Sequence, residues 1–264
     1  MSILGVDIGG TNIDVVLFDG SHYRHVGSYP TSSHFEGLVD LLGKLAVELG
    51  VDAVGVGAAV WLKKGKQILA PNLPSSVNLT GEIAGVPVFL DNDANCFAIF
   101  AHAYFGFPSI LAITVGTGVG SGIIANGKIY RGEGMAGEIG HWVVGGSDEC
   151  VCGGKGHLEC YFGGWSLKKR YGKDAKELME DEEFIYSIEG FDLFCRSVAN
   201  AVMLLDSTAV VLGGRIGMRL DEAKLKERIY RYLMPGFSPE IKILKDELAV
   251  AKGACLLAKE QLEG

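Results

Sequence analysis

The 264-residue sequence has no long apolar run, no basic cluster and no leader-like beginning. None of its apolar stretches reaches the roughly 20 residues that a membrane-spanning helix needs. Its start, MSILGVDIGG, lacks the basic residues and the long apolar core of a signal peptide. No basic run exceeds three residues and the net charge is −8, which argues against nucleic acid and acidic membranes as partners. These absences predict a globular, cytoplasmic protein.

Glycine, by contrast, is abundant: 38 glycines cluster between the apolar runs. Because glycine lacks a Cβ, it permits turns and close backbone approaches that other residues hinder. A chain of this length can form one large or two modest domains. Since we expect the chain to stay in the cytoplasm, the six cysteines are expected to be thiols or metal ligands before disulfides.

Two segments repeat one pattern. Residues 7–24 (DIGGTNIDVVLFDGSHYR) and 114–131 (TVGTGVGSGIIANGKIYR) share four identities at a constant offset, beginning with Gly9 and Gly116. Both predict a strand, a glycine-rich turn, a strand, an Asp/Asn-Gly turn and a strand. Such turns leave backbone N–H groups for phosphate. Coincidental hairpin chemistry is the competing interpretation, but the shared order favours two similar lobes that grip a polyphosphate.

The rest of the chain alternates between strand and helix patterns. The apolar spacing predicts helices at 35–49, from about 96 to 105, and at 190–205, 220–233 and 247–262. Strands are predicted at 53–60, 86–91, 208–212 and 241–244. Residues 61–81 are predicted to be loop. Asp91, Asn92, Asp93 and Asn95 stand where a strand passes into a helix. A helix cap needs only one such residue, and ligands of α/β sheets bind beyond the carboxyl ends of strands. The junction therefore predicts a catalytic carboxylate.

The stretch from Gly132 to Cys160 concentrates the remaining chemistry, with two histidines, three cysteines and four glutamates among nine glycines. Side chains able to hydrogen-bond a polar ligand are Glu133, Glu138, Glu159 and His141, and those that zinc prefers are His141, Cys150, Cys152 and His157. So many glycines gain little from regular packing. We expect zinc to order this loop, and the loop to shape a substrate pocket.

The motifs together resemble the ROK family (repressors, open reading frames and sugar kinases) of the actin, hexokinase and Hsp70 superfamily. They are DIGGT at 7–11, LDNDAN at 90–95, VGTGVGSGI at 115–123, GEIGH at 137–141, CVCGGKGHLE at 150–159 and VVLGG at 210–214. The resemblance implies a two-lobed α/β actin-like ATPase (ribonuclease H-like) fold. Each lobe would be a mixed sheet with flanking helices, residues 1–106 plus 246–264 in one and 107–245 in the other, with the active site in the interlobe cleft.

The resemblance also implies residue roles by position. Asp93 would be the general base, and the sugar would contact Asn92, Asp93, Glu138, His141 and Glu159. Mg²⁺ would be held through water by Asp7, ATP phosphates would bind at Gly9, Gly10, Thr11, Asn12, Gly116, Thr117 and Gly118, and adenosine at Gly213 and Gly214. Glu133 matches no part of the motif and is expected to be loop surface.

The cysteine block departs from the family pattern, which usually reads C-x-C-G-x-x-G-C together with the histidine of E-x-G-H. Here His157 occupies the third cysteine position. Zinc accepts imidazole as well as thiolate, so the predicted structural site is His141, Cys150, Cys152 and His157, with Cys160 as the substitute for His157. The competing interpretation is a decayed site held without metal.

Three functions compete under this resemblance. The first is an ATP-dependent hexose kinase that phosphorylates glucose at its 6-hydroxyl, with N-acetylhexosamine, glucosamine, mannose or fructose as the alternative sugar. The second is a sugar-responsive repressor, disfavoured because the first strand starts almost at Met1 and the chain is acidic. The third is a sugar sensor without kinase activity, against which Asp93 argues. Family members commonly form homodimers, although the sequence reveals no interface.

Overall fold

The computed structural model describes residues 1–71, 73–77, 79, 81–181 and 183–264, and they form two compact units. The first unit comprises Met1–Tyr104, Arg131–Met135 and Leu248–Gly264, and the second comprises Phe105–Tyr130 and Ala136–Glu247. The lobe boundaries expected from the sequence, 1–106 plus 246–264 and 107–245, remain a prediction. Among the described residues, no helix combines the length and apolarity that crossing a membrane requires.

The strands of the first unit are β1 (Ile3–Ile8), β2 (Asn12–Phe18), β3 (Tyr23–Pro30), β4 (Ala53–Ala58), β5 (Trp61–Lys63), β6 (Lys66–Leu69), β7 (Gly81–Ile83) and β8 (Val86–Asn92). Those of the second unit are β9 (Ile110–Val115), β10 (Val119–Ala125), β11 (Lys128–Tyr130), β12 (Ala209–Gly213) and β13 (Glu240–Ile243). The helices are α1 (Thr31–His34), α2 (Leu38–Leu49), α3 (Asp93–Phe105), α4 (Glu159–Phe162), α5 (Gly164–Tyr171), α6 (Ala175–Leu178), α7 (Phe184–Ser187), α8 (Glu189–Leu205), α9 (Gly214–Gly217), α10 (Glu222–Tyr230) and α11 (Ala249–Glu263), with a 3-10 turn at Ile139–His141.

The two units contain the same sheet. The order in the first is β3-β2-β1-β4-β8-β7, and in the second it is β11-β10-β9-β12-β13. In both, the first three strands are antiparallel neighbours and the next two pair in parallel. The predicted repeat is therefore confirmed at the level of strand order, and β7 is the one strand that only the first sheet has among the described residues.

Small residues in the first sheet admit another backbone. A Cβ at Gly5 would lie 2.1 Å from the carbonyl oxygen of Ala251, and one at Gly55 would lie 1.8 Å from that of Ala254. Both carbonyls belong to α11, so the helix lies directly on β1 and β4. The small-residue strand predicted at 53–60 is β4, which is buried along its whole length.

Two local predictions were wrong. Much of the predicted loop at 61–81 is a hairpin of β5 and β6, in which Lys64 and Gly65 both have positive φ. Two-residue hairpin turns of this kind need positive φ at both positions, which Lys adopts less readily than Asn. Residues 72, 78 and 80 of the predicted range lie outside the described residues. Helix α3 begins at Asp93, earlier than the predicted Cys96, because Asn92 Oδ1 accepts hydrogen bonds from the N–H groups of Ala94 and Asn95 at 2.8 and 3.4 Å.

Candidate active site

The junction of β8 and α3 carries the predicted base. Asp93 is the first residue of α3, is partly buried, and its carboxylate accepts the N–H of Ala94 at 2.8 Å. Burial raises the pKa of Asp93, and the Ala94 N–H opposes that rise. Asn92 donates from Nδ2 to the carbonyl of Val60 at 2.9 Å, so the junction is also joined to the turn that follows β4.

The first glycine-rich turn connects β1 and β2. Gly9 N–H donates to the carbonyl of Asn12 at 3.0 Å, which closes the turn. Thr31, which is fully buried, donates from Oγ1 to the carbonyl of Gly9 at 2.7 Å and from its N–H to that of Thr11 at 2.9 Å. The sequence reasoning missed Thr31, because a threonine 20 residues beyond the turn carries no local signal. Asp7 precedes the turn near the end of β1, with Gly57 as its parallel neighbour on β4.

The second turn, between β9 and β10, is held in a similar way. Gly116 N–H donates to the carbonyl of Gly118 at 3.0 Å. The carbonyls of Gly116 and Thr117 accept the N–H groups of Gly164 and Trp165 at 2.9 and 3.0 Å. In each unit, a later element anchors the carbonyls of the glycine-rich turn, and the two predicted phosphate turns share this construction.

The Gly213-Gly214 pair lies next to the second turn. Gly213 ends β12 and pairs with Thr114 on β9. Gly214 has φ +79°, and a Cβ there would lie 2.7 Å from the carbonyl oxygen of Val115. The predicted adenosine motif therefore contacts the strand that leads into the predicted phosphate turn.

The GEIGH segment is pressed onto β10 through its glycines. A Cβ at Gly137, which has φ +93°, would lie 2.7 Å from the Ser121 carbonyl oxygen, and one at Gly140 would lie 2.0 Å from that of Val119. Ile139 between them is buried. With these residues against the strand, the segment leaves Glu138 and His141 partly accessible, with 29% and 17% of their side chains exposed. Their outer atoms, His141 Nε2 and Glu138 Oε2, are 3.9 Å apart.

Glu159 is the buried member of the predicted sugar set. Only 4% of the residue is exposed, and its Oε1 accepts a hydrogen bond from the thiol of Cys150 at 3.0 Å. The same oxygen lies 3.9 Å from His141 Nδ1. On the other side, a Cβ at Gly118 would lie 2.6 Å from Oε2. The carboxylate thus sits between the cysteine loop and the second glycine-rich turn.

The four predicted zinc ligands come together. One donor atom from each of His141, Cys150, Cys152 and His157 lies within 4.8 Å of the others. Cys150 Sγ is 3.5 Å from His141 Nδ1, and Cys152 Sγ is 3.2 Å from His157 Nδ1. A tetrahedral zinc site with ordinary Zn–S and Zn–N bonds has S–N separations of about 3.6 Å. The donor set therefore fits zinc, and these two S–N separations are close to those of a tetrahedral site.

The cysteine loop is ordered by its backbone as well as by these side chains. Val144 N–H donates to the carbonyl of Gly156 and Cys150 N–H to that of Gly154, at 2.8 and 2.9 Å. The loop is thus an irregular hairpin with the cysteines at its tip. The expectation that so many glycines gain little from regular packing was too strong, because backbone pairing within the loop supplies part of the order.

Of the pKa shifts in the cluster, that of His141 favours metal binding. Burial lowers the pKa of His141 most, Glu159 opposes this and His157 adds to it, so the imidazole tends to the neutral form that ligates zinc. Burial raises the pKa of Cys150. Cys160 lies outside the four-residue group, and its thiol points to the carbonyl of Asp148 at 3.8 Å.

The chain matches the ROK family over residues 3–261. It belongs to the ROK family. Among its relatives, an N-acetyl-D-glucosamine kinase of Histophilus somni is 31% identical over 80% of this chain and 82% of its own. The structure of a ROK hexokinase from Thermus thermophilus is 30% identical, covers 100% of this chain and 99% of its own, and superposes with a TM-score of 0.82.

A third relative among solved structures carries ligands. It is a ROK family glucokinase from Streptomyces griseus in complex with glucose and AMPPNP, 27% identical, covering 98% of this chain and all of its own, with a TM-score of 0.76. These structures and the repeated mixed sheets confirm the expected α/β fold class of the family.

Proposed function

We propose that this ROK family protein is an ATP-dependent sugar kinase that transfers the γ-phosphoryl group to a hexose hydroxyl, with glucose O6 as the first candidate. The observation that carries the proposal is Asp93, a carboxylate with a raised pKa at the carboxyl end of β8, in the segment that resembles the NDAN motif of the family. Relatives named hexokinase, glucokinase and N-acetyl-D-glucosamine kinase support the reaction class.

Asp93 would orient the sugar hydroxyl and accept its proton. Phosphoryl transfer passes through a loose transition state, so the enzyme mainly positions the reactants and neutralises charge. A general base is most effective when its pKa is close to the working pH. Because burial moves the pKa of Asp93 upward, the carboxylate takes the proton more readily than an exposed aspartate while remaining a small, directional acceptor.

The sugar hydroxyls would form hydrogen bonds with Glu138, His141 and Glu159, together with Asn92. Carboxylates accept hydrogen bonds from hydroxyls, and they penalise substrates that lack them, because the buried acceptor is then left unpaired. With Glu159 almost fully buried, this penalty is greatest at its carboxylate.

The phosphates of ATP would bind at Gly9–Asn12 and at Gly116–Gly118, with Mg²⁺ held through water by Asp7 and adenosine against Gly213-Gly214. The anchored carbonyls of both turns support this assignment, since turns of fixed shape can present their N–H groups to an anion. When bound, Mg²⁺ would neutralise charge on the transferred group.

Zinc would be held by His141, Cys150, Cys152 and His157 in a structural role, because four protein ligands leave no open position for chemistry. His141 belongs to both sets. Nδ1 lies 3.5 Å from Cys150 Sγ and Nε2 lies 3.9 Å from Glu138 Oε2, so metal binding would orient a sugar contact.

The proposal is tested with purified protein, Mg-ATP and a coupled assay for ADP. The panel comprises glucose, mannose, fructose, glucosamine, N-acetylglucosamine and N-acetylmannosamine. We expect phosphorylation of glucose, and a higher kcat/KM for an N-acetylhexosamine would move the assignment to that alternative. ADP formation that no sugar stimulates would contradict the kinase.

A further inference from the structure

Asp91, one residue before Asn92, is a buried carboxylate whose two oxygens have different partners. Oδ1 accepts hydrogen bonds from the N–H of Asn92 and from Nδ2 of Asn95, both at 2.8 Å. Oδ2 accepts from Nε of Arg131 at 2.7 Å. Only 4% of Asp91 is exposed, and a charge this buried is tolerated only when it is paired.

The Oδ1 contacts bracket Asp93. One is to the residue before it and the other to a residue of the first turn of α3. Since the carboxylate of Asp93 turns onto the N–H of Ala94 in that same turn, its direction depends on the backbone that Asp91 holds. Asp91 therefore holds the chain on both sides of Asp93.

Arg131 begins a short segment, residues 131–135, that belongs to the first unit although the chain on either side belongs to the second. The segment has another anchor, where Lys64 N–H donates to the carbonyl of Glu133 at 2.7 Å and Lys64 Nζ lies 3.3 Å from Glu133 Oε1. That ion pair is exposed, so its charges contribute little. The contact between Arg131 and Asp91 is the more buried one, with 6% of the Asp91 side chain and 36% of the Arg131 side chain exposed.

The charge of Arg131 also acts beyond Asp91. Burial, and then the charges of Asp91, Asp93 and Asp7, raise the pKa of the Cys96 thiol, which Arg131 lowers. The charges of three carboxylates and of one guanidinium thus act on the same buried thiol. Without the guanidinium, the mutual repulsion of these carboxylates would rise.

We infer that Arg131 is a positioning residue that acts through Asp91 and holds the Asn92-Asp93 junction; the inference rests on the proposed role of Asp93. Lysine would keep the charge of Arg131 but not the planar guanidinium that meets Asp91 Oδ2 through Nε. Glutamine would remove the charge as well.

The experiment compares Arg131→Gln and Arg131→Lys with two control variants. Arg24→Gln changes the exposed arginine at the matching position of the repeat, and Glu133→Gln loosens the other anchor of the segment. We expect Arg131→Gln to lower kcat roughly 10- to 100-fold, because a small misplacement of a reacting group is costly. The KM values should stay within about threefold of wild type.

The pH profile of kcat/KM distinguishes a positioning role of Arg131 from a general loss of folded structure. In Arg131→Gln the acid limb of kcat/KM should move up by roughly half a unit or more, because Asp91 would then carry an unpaired negative charge two residues from Asp93, which favours the protonated carboxyl of Asp93. In Arg131→Lys kcat should fall while the limb stays at its wild-type pH. Arg131→Lys also keeps the test decisive if Arg131→Gln fails to fold, and thermal melting monitors folding throughout.

Two outcomes would overturn the inference. In the first, Arg131→Gln has the same kcat and the same acid limb as Arg24→Gln. In the second, Glu133→Gln loses as much kcat as Arg131→Gln does. Wild type and Asp93→Asn are measured alongside. A wild type that phosphorylates no hexose would show that the proposed function, and with it this inference, is wrong. If the wild type is active and Asp93→Asn is inactive, the proposed function holds. The kinetics of the Arg131 variants then test the inference separately.

Discussion

The thiol of Cys150 donates a hydrogen bond to Glu159, with 3.0 Å between Sγ and Oε1. The contact joins a predicted zinc ligand to a predicted sugar contact, and Glu159 is almost fully buried. A thiolate bound to zinc could not donate this hydrogen bond, so metal binding at Cys150 would change the surroundings of a carboxylate that we assign to substrate binding.

Replacing Glu159 with Gln should weaken sugar binding selectively. Glutamine keeps the size of the side chain but loses the charge, and a hydrogen bond to a charged group contributes on the order of 1.5–3 kcal/mol. We expect the KM for the sugar to rise by about 10- to 150-fold, with the KM for ATP within about threefold of wild type.

The control for that variant is Glu149→Gln, which changes an exposed glutamate of the same loop. Its kinetics should match wild type, and both variants should retain their metal content. A larger change in the KM for ATP than for sugar would count against the placement of Glu159.

Replacing His157 tests the zinc site where this chain departs from its family. His157→Cys offers a thiolate at the same position and should retain one zinc per chain by elemental analysis. His157→Ala should lose most of the metal and melt at a lower temperature, because metal binding contributes to folding.

Cys160→Ser serves as the comparison, because Cys160 lies outside the cluster. We expect wild-type zinc content in this variant. Zinc retained in His157→Ala but lost in Cys160→Ser would transfer the fourth ligand to Cys160, and wild-type protein without zinc after purification free of chelators would contradict the site altogether.

Replacing Asp93 with Asn should abolish most turnover without loss of stability. General base catalysis contributes roughly 10²- to 10⁴-fold, and kcat should fall by that amount. Since burial raises the pKa of Asp93, its ionised form destabilises the fold at neutral pH, so the melting temperature at pH 7 should be equal to or above that of wild type. The exposed Asp40→Asn is the control, and near-normal kcat in Asp93→Asn would refute its role.

The pH dependence of kcat/KM should reflect the same group. The base works only when ionised, so activity falls as the pH drops through the pKa of Asp93. Because that pKa is raised, the acid limb should lie above the ordinary aspartate value of about 4. Asp93 protonates more readily in the folded chain, so its contribution to stability is most favourable at low pH and is lost as the pH rises through its pKa. An acid limb at or below pH 4 would argue against burial of the base.

Features that are close in the chain could be predicted from the sequence. The strand patterns, the glycine-rich turns and the Asp-Asn-Asp junction are local, and so is the cysteine block. Three of the predicted ligands, Cys150, Cys152 and His157, lie within eight residues, so a compact loop brings them together. Their thiol and imidazole side chains are ligands that zinc prefers. The short hairpin at 61–69 was missed because Lys-Gly is a weak turn signal.

The tertiary structure alone decided which distant residues support these motifs. Arg131 meets Asp91, Thr31 holds the first turn, and Glu159 lies against Gly118. Each pair is separated by 20 or more residues, and ordinary arginine or threonine side chains carry no periodic or turn signal. The sequence thus determined the chemistry of the site, because that chemistry resides in local motifs. Chain folding determined which buried partners orient it, since those contacts exist only once the sheets have formed.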